Sequence, residues 1–195
     1  MKFFPLYADL RGRLCLLIGQ GPMADEKEKL LQSAGACVRR RPAFDPADAE
    51  GVMLIVADVD NDEAEVIRAF ADSRHIFVNV VDKPRYCTFI FPAIIQRGDL
   101  IVSISTSGSC PGLAAWLRRK MEPEFGDGFE SALEVLAETR QHVKQVLEAY
   151  DDRKEFYSAL FSHGFLETAW QGEQALRDHL GRYLDDFRSR EEFRA

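Results

Sequence analysis

The sequence predicts an α/β fold in which a parallel sheet, covered by helices on both faces, is followed by a region of helices only. Two observations support this prediction. Short apolar runs, typical of fully buried strands, alternate with amphipathic segments in the first half of the chain, whereas the second half shows amphipathic helical segments alone. With 195 residues, 46% apolar and 29% charged, the chain has a globular composition with room for one α/β domain and a helical appendage.

The first strand, turn and helix show the clearest pattern. An apolar run that ends at Ile18 is followed directly by Gly19, and residues 22–34 carry one apolar helical face before Gly35, a suitable C-cap. Further strands are predicted at 37–41, 52–57, 76–81 and 100–105, with a helix at 63–72. Alternating strands and helices imply right-handed crossovers and a doubly wound sheet, which binds ligands at the carboxyl ends of its strands.

After residue 110 the pattern predicts a helix at 113–121 and a long helix at 129–150. The apolar positions of the long helix form a narrow seam, interrupted by Arg140. The seam either packs within the monomer or forms a homodimer surface, and we favour the homodimer because a long helix outside the sheet needs a partner surface. The predicted organisation is therefore a sheet domain at 1–110, a dimerisation region at 111–150 and a C-terminal helical region at 151–195, with breaks expected at Gly172 and Gly181.

Charge and composition exclude several classes of function. The net charge of -7, with 32 acidic against 25 basic residues, argues against a nucleic-acid binder. Because no apolar run is long enough to span a membrane and Asp9 follows the N-terminus too closely for a signal peptide, we expect a cytoplasmic protein without membrane contact. The cysteines lie far apart, so we expect no metal site, with Cys15 and Cys37 in the core and Cys110 exposed.

The turn after the first strand predicts a dinucleotide site. Its glycine spacing allows a tight turn and close approach of the backbone to a pyrophosphate, and the following helix start supplies N–H groups and a positive dipole end. The sheet is therefore predicted to be Rossmann-like. The candidate cofactor-binding residues of this turn are Gly19, Gln20, Gly21, Pro22, Met23 and Ala24.

The end of the second predicted strand lacks the carboxylate that usually holds the adenosine ribose. It carries Arg39, Arg40 and Arg41 instead. These arginines could receive a 2′-phosphate, contact a polyanionic substrate or form a solvated strand end. We include Arg39 and Arg40 among the candidate cofactor residues, with NAD as the expected cofactor and NADP left open.

Further polar residues follow the later strands. Asn79 and Asp82 end the fourth strand, where a carboxylate beside Val81 and Phe89 could have a raised pKa and exchange protons with a substrate, or could simply form a turn. The fifth strand leads into a loop that offers hydroxyl and N–H groups to carboxylates or phosphates. Its candidate substrate-binding residues are Ser105, Thr106 and Gly108, and those of the next helix are Arg118 and Arg119.

Five segments in order resemble the precorrin-2 dehydrogenase / sirohydrochlorin ferrochelatase family, the N-terminal module of sirohaem synthase. They lie within about the first 120 residues, whereas a single glycine motif would be far less specific. The segments are Phe4-Pro5-Leu6 with Asp9-Leu10-Arg11-Gly12-Arg13, Gly19-x-Gly21-x-x-Ala24-x-x-Lys27, Asn79-Val80-Val81-Asp82, Phe89-Ile90-Phe91-Pro92-Ala93 and Ile104-Ser105-Thr106-x-Gly108-x-x-Pro111.

The resemblance implies a homodimer that uses NAD⁺ to oxidise precorrin-2, a tetrapyrrole rich in carboxylates, to sirohydrochlorin. Some family members then insert Fe²⁺ as a second substrate. The family's catalytic aspartate falls on Asp82, and its Ser/Thr-Gly loop falls on Ser105, Thr106 and Gly108. Because Gln20 replaces a glycine usual in the family, and because the ribose carboxylate is missing, the alternative is a nucleotide-binding or sensing protein with altered catalysis.

Overall fold

The computed structural model describes residues 2–192, so the last three residues of the predicted C-terminal region lie outside it. Its contacts divide the chain into two compact units. The sheet unit contains the residues up to 91 together with 105–110, and the helical unit contains 92–104 and the residues from 111 onward. The last segment of the sheet unit ends at residue 110, but residues 92–104, which the prediction includes in the sheet domain, lie in the helical unit. The further division at 150 remains a prediction.

The sheet unit is built on four parallel strands in the order β2-β1-β3-β4. The strands are β1 Leu14–Ile18, β2 Cys37–Arg41, β3 Leu54–Ala57 and β4 Phe77–Val80, and the helices are α1 Pro22–Ser33 and α2 Asn61–Arg74. All six elements were predicted from the sequence, with ends that differ by at most a few residues. The predicted C-cap is one residue off: Ala34 caps α1, and Gly35 follows it with a positive φ of 77°, the conformation that glycine favours after a helix end.

Two apolar clusters hold the sheet between its helices. Alternate residues of β1 point to opposite faces, so that Leu16 and Ile18 pack with α2 while Cys15 and Leu17 pack with α1. These four side chains are fully buried, as the unbroken apolar run predicts. The prediction for Cys37 is wrong: this residue begins the edge strand β2 and is exposed, whereas Cys110 is exposed as expected.

The predicted fifth strand of the parallel sheet is also corrected. Residues Leu100–Ile104 form β6, which pairs antiparallel with β5, Ala93–Arg97, in a separate two-stranded sheet. Only Gly98 and Asp99 connect the two strands, and Gly98 has a φ of 53°. A connection this short fixes an antiparallel hairpin, because a parallel partner requires a long crossover.

The helical unit adds α3 Pro111–Met121, α4 Gly128–Val146, α5 Tyr150–Ser162 and α6 Glu173–Glu192. The long helix predicted at 129–150 is broken, since Leu147 leaves helical geometry with a ψ of 91° and a new helix starts at Tyr150. Of the expected breaks, Gly172 ends a short 3₁₀ turn with a φ of 95°, whereas Gly181 lies inside α6.

The apolar seam of α4 packs inside its own unit. Of the predicted seam residues, Val143 and Leu147 are buried and Leu136 packs against them. They belong to one cluster with Phe156 of α5 and Leu180 of α6. At these positions the seam packs within the monomer, which is the alternative to a dimer surface. The burial of α4 therefore gives no support for a homodimer. Tyr150, the last residue of the predicted seam, is 72% exposed.

Candidate active site at the carboxyl edge of the sheet

The carboxyl ends of three strands meet at one edge of the sheet. Ile18 of β1 is in register with Ala57 of β3, and Ala57 is in register with Val80 of β4. The residues that follow these strands therefore emerge side by side. Because β1 connects to β2 on one side and the chain returns to β3 on the other, this edge is also the topological switch point where such sheets bind ligands.

The turn after β1 requires both of its glycines. Gly19 has a φ of 117°, and a Cβ at this position would lie 2.6 Å from the backbone oxygen of Asp58. Gly21 has a φ of 104°, but a Cβ there would meet no atom within 4 Å. Gly19 thus allows the turn to pack against β3, whereas Gly21 leaves open space above the turn.

The start of α1 carries no side-chain cap. Gly21 is the N-cap residue, Pro22 occupies the first helical position, and the first helical hydrogen bond runs from the Asp25 N–H to the Gly21 carbonyl. Within residues 2–192, the N–H groups of Met23 and Ala24 have no acceptor. Free N–H groups, a positive helix end and a glycine without a side chain fit a cofactor pyrophosphate.

The other residues of the turn have distinct positions. Ala24 is fully buried and packs α1 against β1, whereas Gln20 and Met23 are exposed. The substituted position Gln20 thus points no side chain into the core. Arg40, at the end of β2, donates its Nε–H to the Gly19 carbonyl at 3.2 Å and so holds the turn against β2.

The arginines of β2 all have partners. Arg40 donates to the carboxylates of Asp25 and Glu28 at 2.7 and 2.8 Å. These contacts raise the pKa of the Arg40 guanidinium, with Asp25 as the larger cause. On the other face of the strand, Arg41 pairs with the Asp48 carboxylate and Arg39 donates to the Asp48 carbonyl. Sequence reasoning missed these partners, because acids placed 12 to 15 residues away form no local pattern with Arg40.

Asp82 stands exposed in a tight turn directly after β4. Its φ of 56° is left-handed, which is uncommon for a residue with a side chain and common at functional turns. The turn is closed by the Lys83 N–H, which donates to the Val80 carbonyl at 3.1 Å. The carboxylate is therefore presented to solvent, not enclosed by Val81 and Phe89 as the sequence interpretation assumed.

Asn79 points inward. Its side chain is 8% exposed and donates to the Phe89 carbonyl at 3.0 Å, which ties β4 to the segment that follows the Asp82 turn. We therefore interpret Asn79 as a residue that positions this edge of the sheet rather than one that reaches a substrate. A strand-end amide is equally typical of both roles, so the sequence alone did not separate them.

Cys87 also holds the Asp82 turn, and sequence reasoning missed it. Its Sγ accepts from the Val80 N–H at 3.2 Å and lies 3.3 and 3.4 Å from the carbonyls of Val80 and Lys83. One thiol thus bridges both ends of the turn that presents Asp82. Burial raises the pKa of this thiol, so it stays protonated and able to donate.

The hydroxyl loop, residues 105–110, lies beside the Asp82 turn within the sheet unit. A Cβ on Gly108 would stand 3.9 Å from the Pro84 ring, two residues after Asp82. The loop is shaped by its own side chains: Ser105 Oγ accepts from the Ser107 N–H and Thr106 Oγ1 accepts from the Cys110 N–H. The structure therefore places Gly108 of the hydroxyl loop next to the turn that carries Asp82.

Asp58 is a further candidate that sequence reasoning did not single out. It follows β3 directly, its N–H donates to the Ile18 carbonyl at 2.8 Å, and it lies against Gly19 between the glycine turn and the Asp82 turn. A carboxylate directly after a buried strand was the available signal.

Arg118 and Arg119 lie on α3 in the helical unit. Arg118 donates to Glu122 at 2.7 Å and is half-buried, whereas Arg119 is exposed and has no ion pair among the residues described. Of the two, Arg119 has the free cation that a substrate carboxylate needs.

Residues 2–192 contain neither a metal-binding cluster nor a membrane-spanning helix. No group of three or more His, Cys, Asp or Glu side chains is arranged to hold a metal ion. No helix among these residues has the length and apolar character needed to cross a membrane.

The chain is similar to several known proteins. Residues 38–93 match a family described as putative NAD(P)-binding. The chain is 36% identical over 90% of its length to siroheme synthase 1 of Pectobacterium atrosepticum, and 33% identical over 92% to siroheme synthase of Methylobacillus flagellatus, covering 42% and 43% of those proteins. It thus spans less than half the length of these curated relatives.

A solved structure shares the fold. SirC, precorrin-2 dehydrogenase, superposes with a TM-score of 0.68 at 18% identity, covering 93% of this chain and 98% of that chain. Together these findings confirm the family resemblance that the sequence motifs predict: over nine-tenths of its length the chain is a relative of part of the siroheme synthases, and it has the fold of precorrin-2 dehydrogenase.

Proposed function

We propose that the chain oxidises precorrin-2 to sirohydrochlorin with NAD⁺ as a step in siroheme synthesis. The observation that carries the proposal is one edge of the sheet, where the uncapped start of α1 at Gly21 and the exposed Asp82 both follow the carboxyl ends of parallel strands and the hydroxyl loop lies next to the Asp82 turn. The relatives named siroheme synthases supply the substrate class. The alternative remains a nucleotide-binding or sensing protein without turnover.

The residues of the glycine turn would hold the pyrophosphate through the N–H groups of Met23 and Ala24. When bound, NAD⁺ accepts the hydride that leaves a substrate C–H bond. The substrate also loses one proton as the new double bond forms, and Asp82 takes this proton and passes it to solvent. Because Asp82 is exposed at the mouth of the turn, the proton has a direct exit.

The substrate carboxylates need local cations and donors, since the chain has a net charge of -7. The hydroxyls of Ser105 and Thr106 already accept N–H groups of their own loop and keep their O–H groups to donate. We assign Ser105 and Thr106 to substrate binding. Arg119, an exposed cation on α3 of the helical unit, is a separate candidate for a substrate carboxylate.

A homodimer is part of the proposal. Leu113 and Trp116 lie one turn apart on α3 and are 46% and 48% exposed, an apolar surface that a second copy would cover. Trp116→Asp is expected to shift the mass measured by light scattering from dimer to monomer, and an unchanged mass would remove this surface from the interface. An NAD-dependent step of tetrapyrrole synthesis also implies a cytoplasmic location.

Iron insertion is the second candidate activity. The relatives are named after siroheme, which contains iron, so Fe²⁺ would enter sirohydrochlorin as two pyrrole protons leave. Asp82 is the exposed base at this edge that can receive them. Asp82→Asn is then expected to lower the rate of Fe²⁺ insertion into supplied sirohydrochlorin, and an unchanged rate would remove Asp82 from that step.

The oxidation is tested by anaerobic mixing of the chain with precorrin-2 and NAD⁺. We expect NADH and sirohydrochlorin absorbance to rise together, with turnover at least about 100-fold slower in Asp82→Asn, the usual contribution of a general base. Asp62→Asn, an exposed carboxylate on α2, is the matched control and should keep the rate. Saturable NAD⁺ binding without any oxidation would support the sensing protein and overturn the dehydrogenase.

A further inference from the structure

The end of β2 determines which nucleotide the proposed cofactor site accepts. In sheets of this kind, the side chains at the end of the second strand face the adenosine ribose. Cofactors that carry a 2′-phosphate are held there by a free arginine, and cofactors without it by a carboxylate. This chain places Arg39, Arg40 and Arg41 at that position, which would ordinarily favour the phosphorylated cofactor.

The contacts of Arg40 argue against that outcome. Its Nη1 donates to the carboxylates of both Asp25 and Glu28, and its Nε donates to the Gly19 carbonyl. The guanidinium is therefore committed to two negative charges and to the glycine turn. A 2′-phosphate that approached Arg40 would meet those carboxylates as well, and repulsion would offset the attraction.

The other two arginines are engaged on the opposite face. Asp48 accepts from Arg41 through its carboxylate at 2.8 Å and from Arg39 through its backbone carbonyl. Arg41 also donates to the carbonyl of Arg40. Three acids, Asp25, Glu28 and Asp48, thus lie against the three arginines, so the strand end carries little excess positive charge.

We infer that Asp25 and Glu28 make this site select NAD over NADP by holding Arg40 away from a 2′-phosphate. The inference rests on the proposed function, because it names the cofactor of the same site. Arg40 is a positioning residue in this arrangement: it fixes the Gly19 turn against α1 and contributes no phosphate contact. Asp25 and Glu28 are the specificity determinants.

The test measures binding rather than turnover. Dissociation constants for NADH and NADPH are obtained by titration of their fluorescence with the wild type, the double variant Asp25→Asn/Glu28→Gln and the control Glu26→Gln. Glu26 lies on the same helix and carries the same charge, but it pairs with Lys27 and not with Arg40. Binding of 2′,5′-ADP and of 5′-AMP separates the contribution of the 2′-phosphate from that of the nicotinamide half.

The wild type is expected to bind NADH at least about tenfold more tightly than NADPH. The double variant frees Arg40 and should raise NADPH and 2′,5′-ADP affinity by about tenfold, the gain of one charge-assisted hydrogen bond, while 5′-AMP affinity stays the same. The control should keep the wild-type ratio.

Each other result decides against the inference. If the wild type prefers NADPH, Asp25 and Glu28 do not select NAD. The same conclusion follows if the double variant binds NADH but keeps the wild-type ratio of NADH to NADPH affinity. Either result leaves the dehydrogenase proposal standing. A folded wild type that binds neither nucleotide overturns the proposed function and this inference together.

Discussion

The turns after β1 and β3 each connect a strand to the N-terminus of a helix, but only one of these two N-termini is capped by a side chain. After β3, the Asp60 carboxylate accepts the Glu63 N–H at 2.9 Å and caps α2. After β1, the N-cap of α1 is Gly21, which has no side chain to offer. One helix start is therefore closed by its own negative charge, while the other keeps N–H groups for an external anion. The proposed anion site therefore lies where a common stabilising contact, the side-chain cap, is omitted.

Gly19→Ala should have the largest effect on stability, because it changes the turn after β1 where that turn packs against the residue after β3. The new methyl would lie 2.6 Å from the Asp58 carbonyl oxygen at a φ of 117°, so strain and overlap act together. We expect the free energy of unfolding to fall by about 3 kcal/mol or more. Urea denaturation followed by circular dichroism measures the change. A loss below about 1 kcal/mol would contradict the close packing of the turn on β3.

Gly21→Ala should separate binding from folding. Its methyl enters open space, so the folding cost is the backbone strain of a conformation with φ 104° and ψ -177°, about 1–3 kcal/mol. The methyl also occupies the approach to the pyrophosphate and should weaken NAD⁺ binding at least about tenfold. Gly51→Ala is the matched control, since Gly51 also has a positive φ and open space but lies before β3 at the other edge. Equal losses of affinity in both variants would refute the assignment.

Cys87→Ala extends the comparison to the turn after β4. The variant leaves the buried Val80 N–H without its acceptor and should lower the free energy of unfolding by about 1–3 kcal/mol. Because the Asp82 turn loosens, kcat should fall while NAD⁺ affinity stays constant. Cys87→Ser, which keeps a donor and an acceptor, should restore part of kcat. If kcat is unchanged in Cys87→Ala, the thiol does not position Asp82.

Asp60→Ala should remove the side-chain cap of α2 without changing the proposed cofactor site at α1. Loss of the cap is expected to cost about 1 kcal/mol of stability and to leave NAD⁺ affinity unchanged, whereas Asp60→Asn should retain the cap. Thermal unfolding and calorimetric titration provide the two measurements. A large loss of NAD⁺ binding would place the nucleotide at α2 instead of α1.

The last expected effect is absent at neutral pH and appears only at alkaline pH, where it arises from β1 itself. Burial raises the pKa of the Cys15 thiol from 9.0 to about 11. The unfolded chain therefore loses this proton first, and the free energy of unfolding should decline as the pH rises from about 9 to 11. Denaturant titrations of Cys15→Ala should show a shallower decline. Cys37→Ala, at an exposed position, should keep the wild-type slope.

Local signals were sufficient to predict the four parallel strands and the glycine turn. The β1 run and the spacing of Gly19 and Gly21 are readable in one short segment, because strand, turn and helix start each depend on adjacent residues. The break of the long helix at Leu147 was not readable, since its apolar positions continue the helical spacing through Tyr150.

The contacts that complete the site depend on residues distant in sequence. The partners of Arg40 lie on α1, and Cys87 reaches back to Val80 across the Asp82 turn. Neither pairing follows a helical or strand period, so only the folded chain reveals it. The hairpin at Gly98 was missed for a different reason, since Pro92 directly precedes Ala93–Arg97 and only three apolar residues of that strand come before Gln96.

The most direct measurement is a titration of the isotope-labelled chain with NAD⁺, followed by the chemical shifts of its backbone amides. The uncapped α1 predicts that the largest shifts fall on Gly21, Met23 and Ala24 and saturate together, while Asn61 and Glu63 at the capped start of α2 barely move. Saturable shifts centred on Asn61 and Glu63, or no shifts at the β1 turn at saturating NAD⁺, would contradict it.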